Sequence, residues 1–419
     1  MLRISLRPAW ILVTAFSLHA QLSSPPTGAS DRKLAFVIPG FIQDALQAAG
    51  PTLGQSILQQ IGPTVNLSSL NSAVATALSN LPVASSASAL RYTFDPQLGV
   101  YVPSPQSLGP ILTERAETIG KDKFFFSLTY QRFQFDRLDQ LDFGNIDFQI
   151  PVQLAGAIPG VIDTNSALSL TISQTTAQFT YGVENWLDVS FALPIVTSSL
   201  QFSTQATVSI LILPNLPVFV LPQSSVKQSS TGLGDGLARI KAKLLEHRGF
   251  TFGAAGDVRV PTGDEFNYHG AGAYGIKPFL IGSLTRKSVS AHINAGYQWN
   301  GKSFLGSSTG TEKERLPGQL FYATGVEASI SPRFTTAFDL LDQIIINGRR
   351  TFLETETVGG TTFNTVTFPN LTRQELNASA GFKARLVGDV VLTGNLLFRL
   401  NDAGLRSRVV PLIGVSYLF

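Results

Sequence analysis

The sequence predicts an all-β membrane protein: a twelve-stranded antiparallel β-barrel with a helical N-terminal segment. Three observations lead to this prediction. Segments of about ten to fifteen residues alternate apolar and polar side chains with a period of two. The connections between these segments alternate between long and short. Only 14% of the residues are charged, against roughly 25% in ordinary soluble proteins, yet no run of about 18 apolar residues offers a transmembrane helix.

Residues 1–20 have the features of a secretory signal peptide. Arg3 and Arg7 supply a positive start, the apolar stretch "AWILVTAFSL" is too short to span a bilayer, and Ala20 is a small residue at the cleavage position. Removing two arginines from the formal charge of +3 leaves the mature chain near neutral, so its pI gives no support for nucleic-acid binding. The absence of Cys excludes disulfides and thiolate metal sites.

Residues 21–121 are predicted to form a helical or irregular segment ahead of the barrel, which takes up residues 122–419. Asp44 is the only charge between Leu34 and Leu90, and apolar residues recur there at helical spacing between prolines. Two interpretations stay open: a plug in the lumen or its periplasmic mouth, and an apolar stripe packed on another surface. The positions concerned are Leu67, Leu70, Val74, Ala77, Leu78 and Leu81, with Pro51, Pro63 and Pro82.

The barrel strands are predicted in order from residue 122. In the first of them, Phe124, Phe126 and Leu128 fall on one face. The second reverses its phase at the polar "SQTT", which indicates either a β-bulge or a strand that outruns the bilayer. An even number of strands puts both ends of the barrel on one side of the membrane. The segments lie near 122–135, 166–182, 187–195, 233–245, 250–260, 274–285, 289–299, 320–330, 334–340, 376–383, 390–400 and 406–419.

The connections divide into two sets, which is typical of bacterial outer-membrane barrels. One rim has the short turns, at 183–186, 246–248, 285–288, 331–333 and 386–388. The other rim has the longer loops, at 136–165, 198–232, 261–273, 300–317 and 345–370, with a brief one at 401–405. We therefore expect the chain in the outer membrane, in contact with its lipid and with lipopolysaccharide.

The chain ends in "PLIGVSYLF". Gly414, Tyr417 and the terminal Phe419 resemble the C-terminal signal by which bacterial outer-membrane barrels are handed to the barrel assembly machinery. A terminal Phe alone is a weak signal, but here it follows twelve alternating segments. We therefore expect that machinery to be a partner.

Three stretches carry a resemblance to a known family: "YGVENWLDVSFALPIV", "GLGDGLARIKAKLL" and "DVRVPTGDE". Together they resemble the bacterial outer-membrane transporter family named for the meta-pathway of phenol degradation, which is distantly similar to fatty-acid and aromatic-hydrocarbon channels. The resemblance extends over roughly 168 to 419. It implies a channel for passive uptake of small hydrophobic or aromatic molecules. The alternatives are a non-conducting structural or adhesion barrel and, last, an outer-membrane hydrolase.

The stretch "LARIKAKLL" at 237–245 has the composition of a helix but splits cleanly with a period of two. As a strand, it must turn Arg239, Lys241 and Lys243 to the lumen, because a charge facing lipid near the midplane costs ~2–4 kcal/mol. The same parity, with Asp188 in the inward set, gives these lumen-lining candidates: Arg239, Lys241, Lys243, Asp257, Arg259, Lys277, His292, Glu327, Asp339, Glu375, Lys383 and Arg399.

Two interpretations of this inward set stay open. The charges either form salt bridges that brace the wall or line a selectivity path, with the three cations of 237–245 as a ladder for anionic groups such as carboxylates. We favour bracing, since buried charges need partners.

Two loops also admit two readings each. The apolar run "VSILILPNLPVFVLP" at 208–222 has a functional reading, in which it captures a hydrophobic solute or folds into the pore. In the other reading it forms a hairpin that extends the strands or packs on a neighbour.

The acid-rich "FDRLDQLDFGNID" of the first long loop suggests Ca²⁺ or lipopolysaccharide binding, but it lacks a Ca²⁺-loop spacing, so a solvated loop is favoured. Its carboxylates are Asp136, Asp139, Asp142 and Asp147.

The sequence predicts no enzyme, no metal and no cofactor. Nucleophilic catalysis needs a serine beside a base that a third group orients, and no motif places one. The constellation closest to a catalytic or metal site is His269 near Asp264 and Glu265, in a long loop.

Overall fold

The computed structural model describes residues 32–48, 68–86, 92–95, 100–103, 107–154, 158–210, 213–307, 312–358 and 361–419. The predicted signal peptide, residues 1–20, lies outside the described residues. No helix in the described ranges is long and apolar enough to span a membrane.

Twelve antiparallel strands, which we number β1 to β12, close into a barrel. The first strand pairs with the second on one side and with the last on the other, which closes the ring. The predicted fold class is therefore confirmed. The strands are β1 Phe124–Leu138, β2 Ile158–Glu184, β3 Leu187–Ile210, β4 Gly236–His247, β5 Phe250–Val260, β6 Gly275–Arg286, β7 Val289–Asn300, β8 Gln319–Ser331, β9 Phe334–Arg349, β10 Asn370–Arg385, β11 Val391–Arg399 and β12 Val409–Leu418.

The two rims differ as the loop lengths predict. One rim has only short turns between consecutive strands, and this is the periplasmic side in outer-membrane barrels. The other rim, which we call the long-loop rim, carries accessory strands and a 3₁₀ turn, Glu265–Asn267. The accessory strands are Leu141–Asp142, Ile146–Leu154, Leu213–Leu233, Lys302–Ser303 with Glu314–Arg315, Phe352–Val358 with Thr361–Thr367, and Leu405–Ser407.

The outer surface of the barrel is apolar. On β12, residues alternate strictly between buried and exposed, and the exposed set includes Ile413 and Val415. Exposed aromatic side chains lie at both rims, with Trp186 and Phe419 at the short turns and Tyr274 and Trp299 at the long loops. Closed barrels satisfy every backbone hydrogen bond, and aromatic girdles mark the two membrane interfaces. The protein is therefore a bacterial outer-membrane β-barrel.

Strands β2 and β3 are much longer than a bilayer requires. No register shift occurs where "SQTT" reverses the phase of β2, so the strand runs on without a bulge there. Along one continuous face, the buried residues change from polar Gln178 and Thr176 to apolar Ile172 and Leu170. Of the two interpretations of this segment, the structure has the strand that outruns the bilayer.

The loop with the apolar run forms a hairpin with β3. Leu213–Leu233 pairs with residues 195–210 of that strand, so the backbone extends the barrel wall beyond the long-loop rim. Residues 211–212 lie outside the described residues. Of the two readings of 208–222, the backbone has the hairpin, and solute capture stays a prediction.

The described part of the N-terminal segment contains two helices, α1 Val37–Ala48 and α2 Ser68–Leu78, with a 3₁₀ turn at Leu34–Phe36 and a small hairpin of Tyr92–Asp95 and Val100–Pro103. Both helices bury apolar side chains against the inward faces of the extended strands. The division of the chain at residue 122 stays a prediction. The shared core includes Leu34, Val37, Ile38, Phe41, Leu70, Val74, Leu78, Leu168, Leu170, Ile172, Val196, Leu200 and Phe202.

Candidate functional site

Residues 107–123 run across the lumen as an extended segment, bound to inward-facing side chains of the wall. Because this segment lacks regular secondary structure, its backbone N–H groups need partners elsewhere, and the wall supplies them. The backbone donors and their acceptors are Leu108 to Thr335 Oγ1 (3.0 Å), Glu114 to Asn294 Oδ1 (2.7 Å), Ala116 to Ser283 Oγ (2.9 Å) and Ile119 to the Asp188 carboxylate (3.1 Å).

Six buried or half-buried side chains form an unbroken line of alternating charge, which we call the charge chain. Strand register places Asp188 opposite Lys241, and Arg239 opposite Asp257, which in turn lies opposite Lys277. Glu114, from the N-terminal segment, joins the two halves. The links are Lys277–Asp257 (3.2 Å), Asp257–Arg239 (2.6 Å), Arg239–Glu114 (2.6 Å), Glu114–Lys241 (3.1 Å) and Lys241–Asp188 (3.6 Å).

Glu114 also holds the N-terminal segment together. Its carboxylate accepts hydrogen bonds from Ser85 Oγ (3.1 Å), from the backbone N–H of Ser86 (3.0 Å) and from Ser86 Oγ (2.9 Å). Strand parity assigns inward residues only within strands, so it does not reach Glu114. The available signal was the return of charged residues at Glu114, Arg115 and Glu117 after a long stretch with almost none.

Besides Arg239 and Lys241, three more of the predicted lumen residues bind the N-terminal segment. Arg259 donates to the backbone carbonyl of Ser79 and lies 3.7 Å from Asp235. Asp339 accepts from Thr113 Oγ1 (2.7 Å) and from the backbone N–H of Leu112 (3.2 Å). Lys383 donates to the backbone carbonyl oxygens of Leu108 and Pro110.

Three other candidates lie apart from the charge chain. Lys243 keeps the parity of Arg239 and Lys241, since it lies opposite Gly253, but it pairs with Glu246 (2.8 Å) near the short-turn rim, next to the register shift at Leu244. The predicted three-cation ladder is therefore two buried cations and one at the rim. Glu375 binds Arg373 (2.8 Å) and Arg406 (3.4 Å), and Arg399 binds Asp136 (2.6 Å) at the long-loop rim.

His292 lies between a serine and a carboxylate on neighbouring strands. Its Nδ1 is 2.8 Å from Ser283 Oγ, and its Nε2 is 3.4 Å from Glu327 Oε1. Sequence reasoning missed this grouping because its members come from β6, β7 and β8 without a motif. Ser283 is 1% exposed and its oxygen already accepts from the Ala116 backbone N–H, so a substrate carbonyl has no access to it.

A cavity of about 240 Å³ lies between the end of α2 and the barrel wall. Four phenylalanines line it: Phe133, Phe135, Phe279 and Phe321. Of the charge chain, Glu114, Arg239, Asp257 and Lys277 reach it, whereas Ser283, His292 and Glu327 do not line it. Its remaining polar lining includes the neutral side chains Gln174, Thr176, Asn294, Gln298, Gln319, Gln343 and Asn377.

The acidic groups of the 261–274 loop have separate partners. The Asp264 carboxylate accepts from Lys33 Nζ (3.0 Å), and Glu265 accepts from Ser303 Oγ (2.8 Å). Burial alone would raise the pKa of Asp264, but the hydrogen bond and the charge of Lys33 lower it overall. Burial raises the pKa of Tyr268. Within the described ranges, no three His, Asp or Glu side chains are placed to hold a metal ion.

The carboxylates of the first long loop also diverge. Asp136 binds Arg399, whereas Asp139 is buried and accepts from Arg350 Nε (3.1 Å) and the backbone N–H of Thr351 (2.8 Å). Asp142 lies 3.8 Å from Arg137. The loop is thus braced by arginines, and ion or lipopolysaccharide binding there stays a prediction.

The C-terminal residues end β12 at the short-turn rim. The rings of Tyr417 and Phe419 lie on the lipid side with their centroids 4.5 Å apart. Gly414 lies opposite Thr129 of β1, where an added Cβ would approach the threonine Cγ2 to 2.7 Å. Their role as an assembly signal stays a prediction.

Comparison with known proteins gives one sequence family and several structures. The family described as the MetA-pathway of phenol degradation matches residues 156–340. No curated protein is significantly similar to the chain. An outer-membrane channel from Pseudomonas putida F1 is 11% identical with a TM-score of 0.43, covering 73% of this chain and 98% of its own.

Two further structures are similar at a lower level. The toluene transporter TodX of P. putida is 9% identical with a TM-score of 0.34, covering 71% of this chain and 90% of its own. A FadL homologue from Pseudomonas aeruginosa is 10% identical with a TM-score of 0.31, covering 72% and 90%. These likenesses are too weak to bear on function. The family match confirms that this chain resembles the outer-membrane family named for phenol degradation, as its motifs predict.

Proposed function

We propose that this barrel is an outer-membrane channel for passive uptake of small hydrophobic or aromatic molecules, and that residues 21–121 act as its plug. The observation that carries the proposal is the lumen cavity of about 240 Å³ with four phenylalanines in its lining. A buried apolar cavity of roughly 150 Å³ holds a benzene molecule. A compound with one aromatic ring therefore fits, and its ring has aromatic surface to contact.

The plug is held by contacts that can be released without unfolding the barrel. Residues 107–123 bind the wall through hydrogen bonds and ion pairs, and Glu114 forms ion pairs with both Arg239 and Lys241. The barrel ladder itself closes between β1 and β12 independently of this segment. Displacement of the segment would widen the path on the periplasmic side while the wall stays intact.

Uptake by cells tests the proposal, because the lipopolysaccharide leaflet retards neutral aromatics that cross phospholipid unaided. Entry of labelled phenol into a Gram-negative host without its major porins should be faster when the full-length protein is produced. A matched strain producing Phe279→Ser and Phe321→Ser together should lose most of the gain at equal folded amounts. Rates equal to those of the empty strain would contradict the proposal.

A second candidate, a non-conducting structural barrel, has one observation in its favour. Helices α1 and α2 form an apolar core with inward-facing residues of β2 and β3, such as Leu170, Ile172 and Val196. Such a barrel would show neither solute uptake nor ion conductance with intact or substituted plug contacts. Under either candidate function, channel or structural barrel, we expect a protein that is not an enzyme and needs no cofactor.

A further inference from the structure

We propose that Lys277, Phe279 and Phe321 form a subsite in the lumen for small aromatic acids. The lysine would bind the carboxylate and the two rings would contact the aromatic ring. This inference rests on the proposed function and names its substrate class. It makes Lys277 the residue that sets a preference for aromatic monocarboxylates over neutral compounds of the same shape.

Lys277 is the cationic end of the charge chain. The two inner cations each contact two carboxylates: Arg239 contacts Asp257 and Glu114, and Lys241 contacts Glu114 and Asp188. Lys277 contacts Asp257 alone among the ion pairs of the described residues, and Arg239 already binds that carboxylate through two nitrogens. An ammonium group has three N–H donors, so Lys277 retains capacity for an incoming anion.

The three cations of the charge chain also differ in the exposed fraction of their side chains. The side chain of Lys277 is 29% exposed, against 9% for Arg239 and 0% for Lys241. Because Lys277 also lines the cavity, its accessible surface faces the space where a solute would lie. A carboxylate bound there would extend the alternation of charge by one step.

The two phenylalanines are brought together by a glycine. Phe279 of β6 and Phe321 of β8 both lie opposite Gly296 on the intervening strand β7. An added Cβ at Gly296 would come within 2.5 Å of the Phe279 Cβ, so only glycine leaves room for the rings to meet. Their centroids are 5.7 Å apart in an edge-to-face arrangement, which is a favourable geometry for aromatic pairs.

The ammonium group and the rings form one surface. Lys277 Nζ lies 5.1 Å from the ring centroid of Phe321 and 5.8 Å from that of Phe279. A benzoate-like solute needs a cation and an apolar ring surface within one molecular length, and this cluster supplies both. The guanidinium groups of the described lining are engaged, since Arg239 contacts Asp257 and Glu114, Arg259 lies beside Asp235, and Arg406 lies beside Glu375.

Calorimetric titration of the full-length protein in detergent tests the subsite. The probes are benzoate and benzamide, which have nearly the same shape but differ in charge. The wild type should bind benzoate more tightly than benzamide. Lys277→Met should weaken benzoate binding about tenfold, the effect of losing one hydrogen bond to a charged group, and should leave benzamide binding unchanged.

Three further variants make the test specific. Lys277→Arg should retain the preference, because the positive charge stays. Lys243→Met is the matched control: it removes a lysine at the rim, outside the cavity, and should behave as wild type. Lys277→Gln keeps a polar side chain beside Asp257 and should lose the preference as Lys277→Met does, so it serves if the methionine variant does not fold.

The proposal is overturned if benzoate and benzamide bind the wild type equally, or if the neutral variants at Lys277 keep the benzoate preference. A failure of the proposed function has a different signature, since phenol uptake by cells would then be absent even for the wild type. Uptake of phenol without a benzoate preference would leave the channel standing and refute the subsite alone.

Discussion

At the scale of single residues, Glu114 determines how the N-terminal segment meets the wall. Its side chain is 4% exposed and lies between Arg239 and Lys241, so each cation compensates part of the cost of burying the carboxylate. The bracing interpretation of the inward charges stays a prediction, and Lys277 is the member of the charge chain with the most accessible side chain, 29% exposed.

Replacing the Glu114 carboxylate should destabilise the folded barrel. Glu114→Gln leaves Arg239 and Lys241 with one carboxylate each, and loss of one partner from a buried ion pair costs about 3–5 kcal/mol. The measurement is urea unfolding in lipid vesicles. Glu246→Gln removes a rim carboxylate that pairs with Lys243 and should change stability little. Equal effects of the two substitutions would contradict the role given to Glu114.

The Ser283–His292–Glu327 grouping should be catalytically silent. Ser283 is covered by the Ala116 backbone and does not line the cavity, so we expect no labelling by a fluorophosphonate probe. A serine hydrolase in the same reaction provides the positive control. Labelling of the wild type that disappears in Ser283→Ala would contradict this and would reopen the hydrolase alternative.

At the scale of elements, β4 shows how tertiary context overrides local propensity. The stretch "LARIKAKLL" is composed of good helix formers, yet it is a strand because its neighbours on both sides are strands. Its two buried cations meet Glu114, Asp257 and Asp188, while Ile240 faces lipid and is 58% exposed.

A charge on the lipid side of β4 should be costly where the same charge on the lumen side is tolerated. Ile240→Arg is expected to lower the free energy of unfolding in lipid vesicles by up to ~2–4 kcal/mol, the cost of a cation near the midplane. Ile240→Val keeps an apolar side chain and serves as the control. No difference between the two variants would show that this face does not contact lipid.

The elements also show what sequence can predict. Period-two alternation and loop lengths predict the twelve strands and both rims, because lipid on one side imposes a strict pattern on every strand. The same pattern in β2 predicts a phase reversal but leaves two explanations open. Only the partners of β2 distinguish them, since its outer part buries Leu170 and Ile172 against the N-terminal helices.

At the scale of the whole molecule, the part that sequence could not predict is the fit between the N-terminal segment and the lumen. Residues 107–123 have no periodic pattern, and their hydrogen bonds go to residues far along the chain, such as Asn294 and Thr335. Both the N-terminal segment and the barrel wall line the cavity, so neither forms it alone. Its aromatic pair depends on Gly296, whose significance a single sequence does not reveal.

Ion conductance across planar bilayers tests most directly whether this barrel is a channel with a plug. The full-length wild type should conduct weakly, because residues 107–123 cross the lumen. Glu114→Ala should conduct severalfold more, since it releases that segment from Arg239 and Lys241, whereas Glu246→Ala should match the wild type. If the wild type and both variants fold but conduct no ions, the claim that this barrel is a channel with a plug is contradicted.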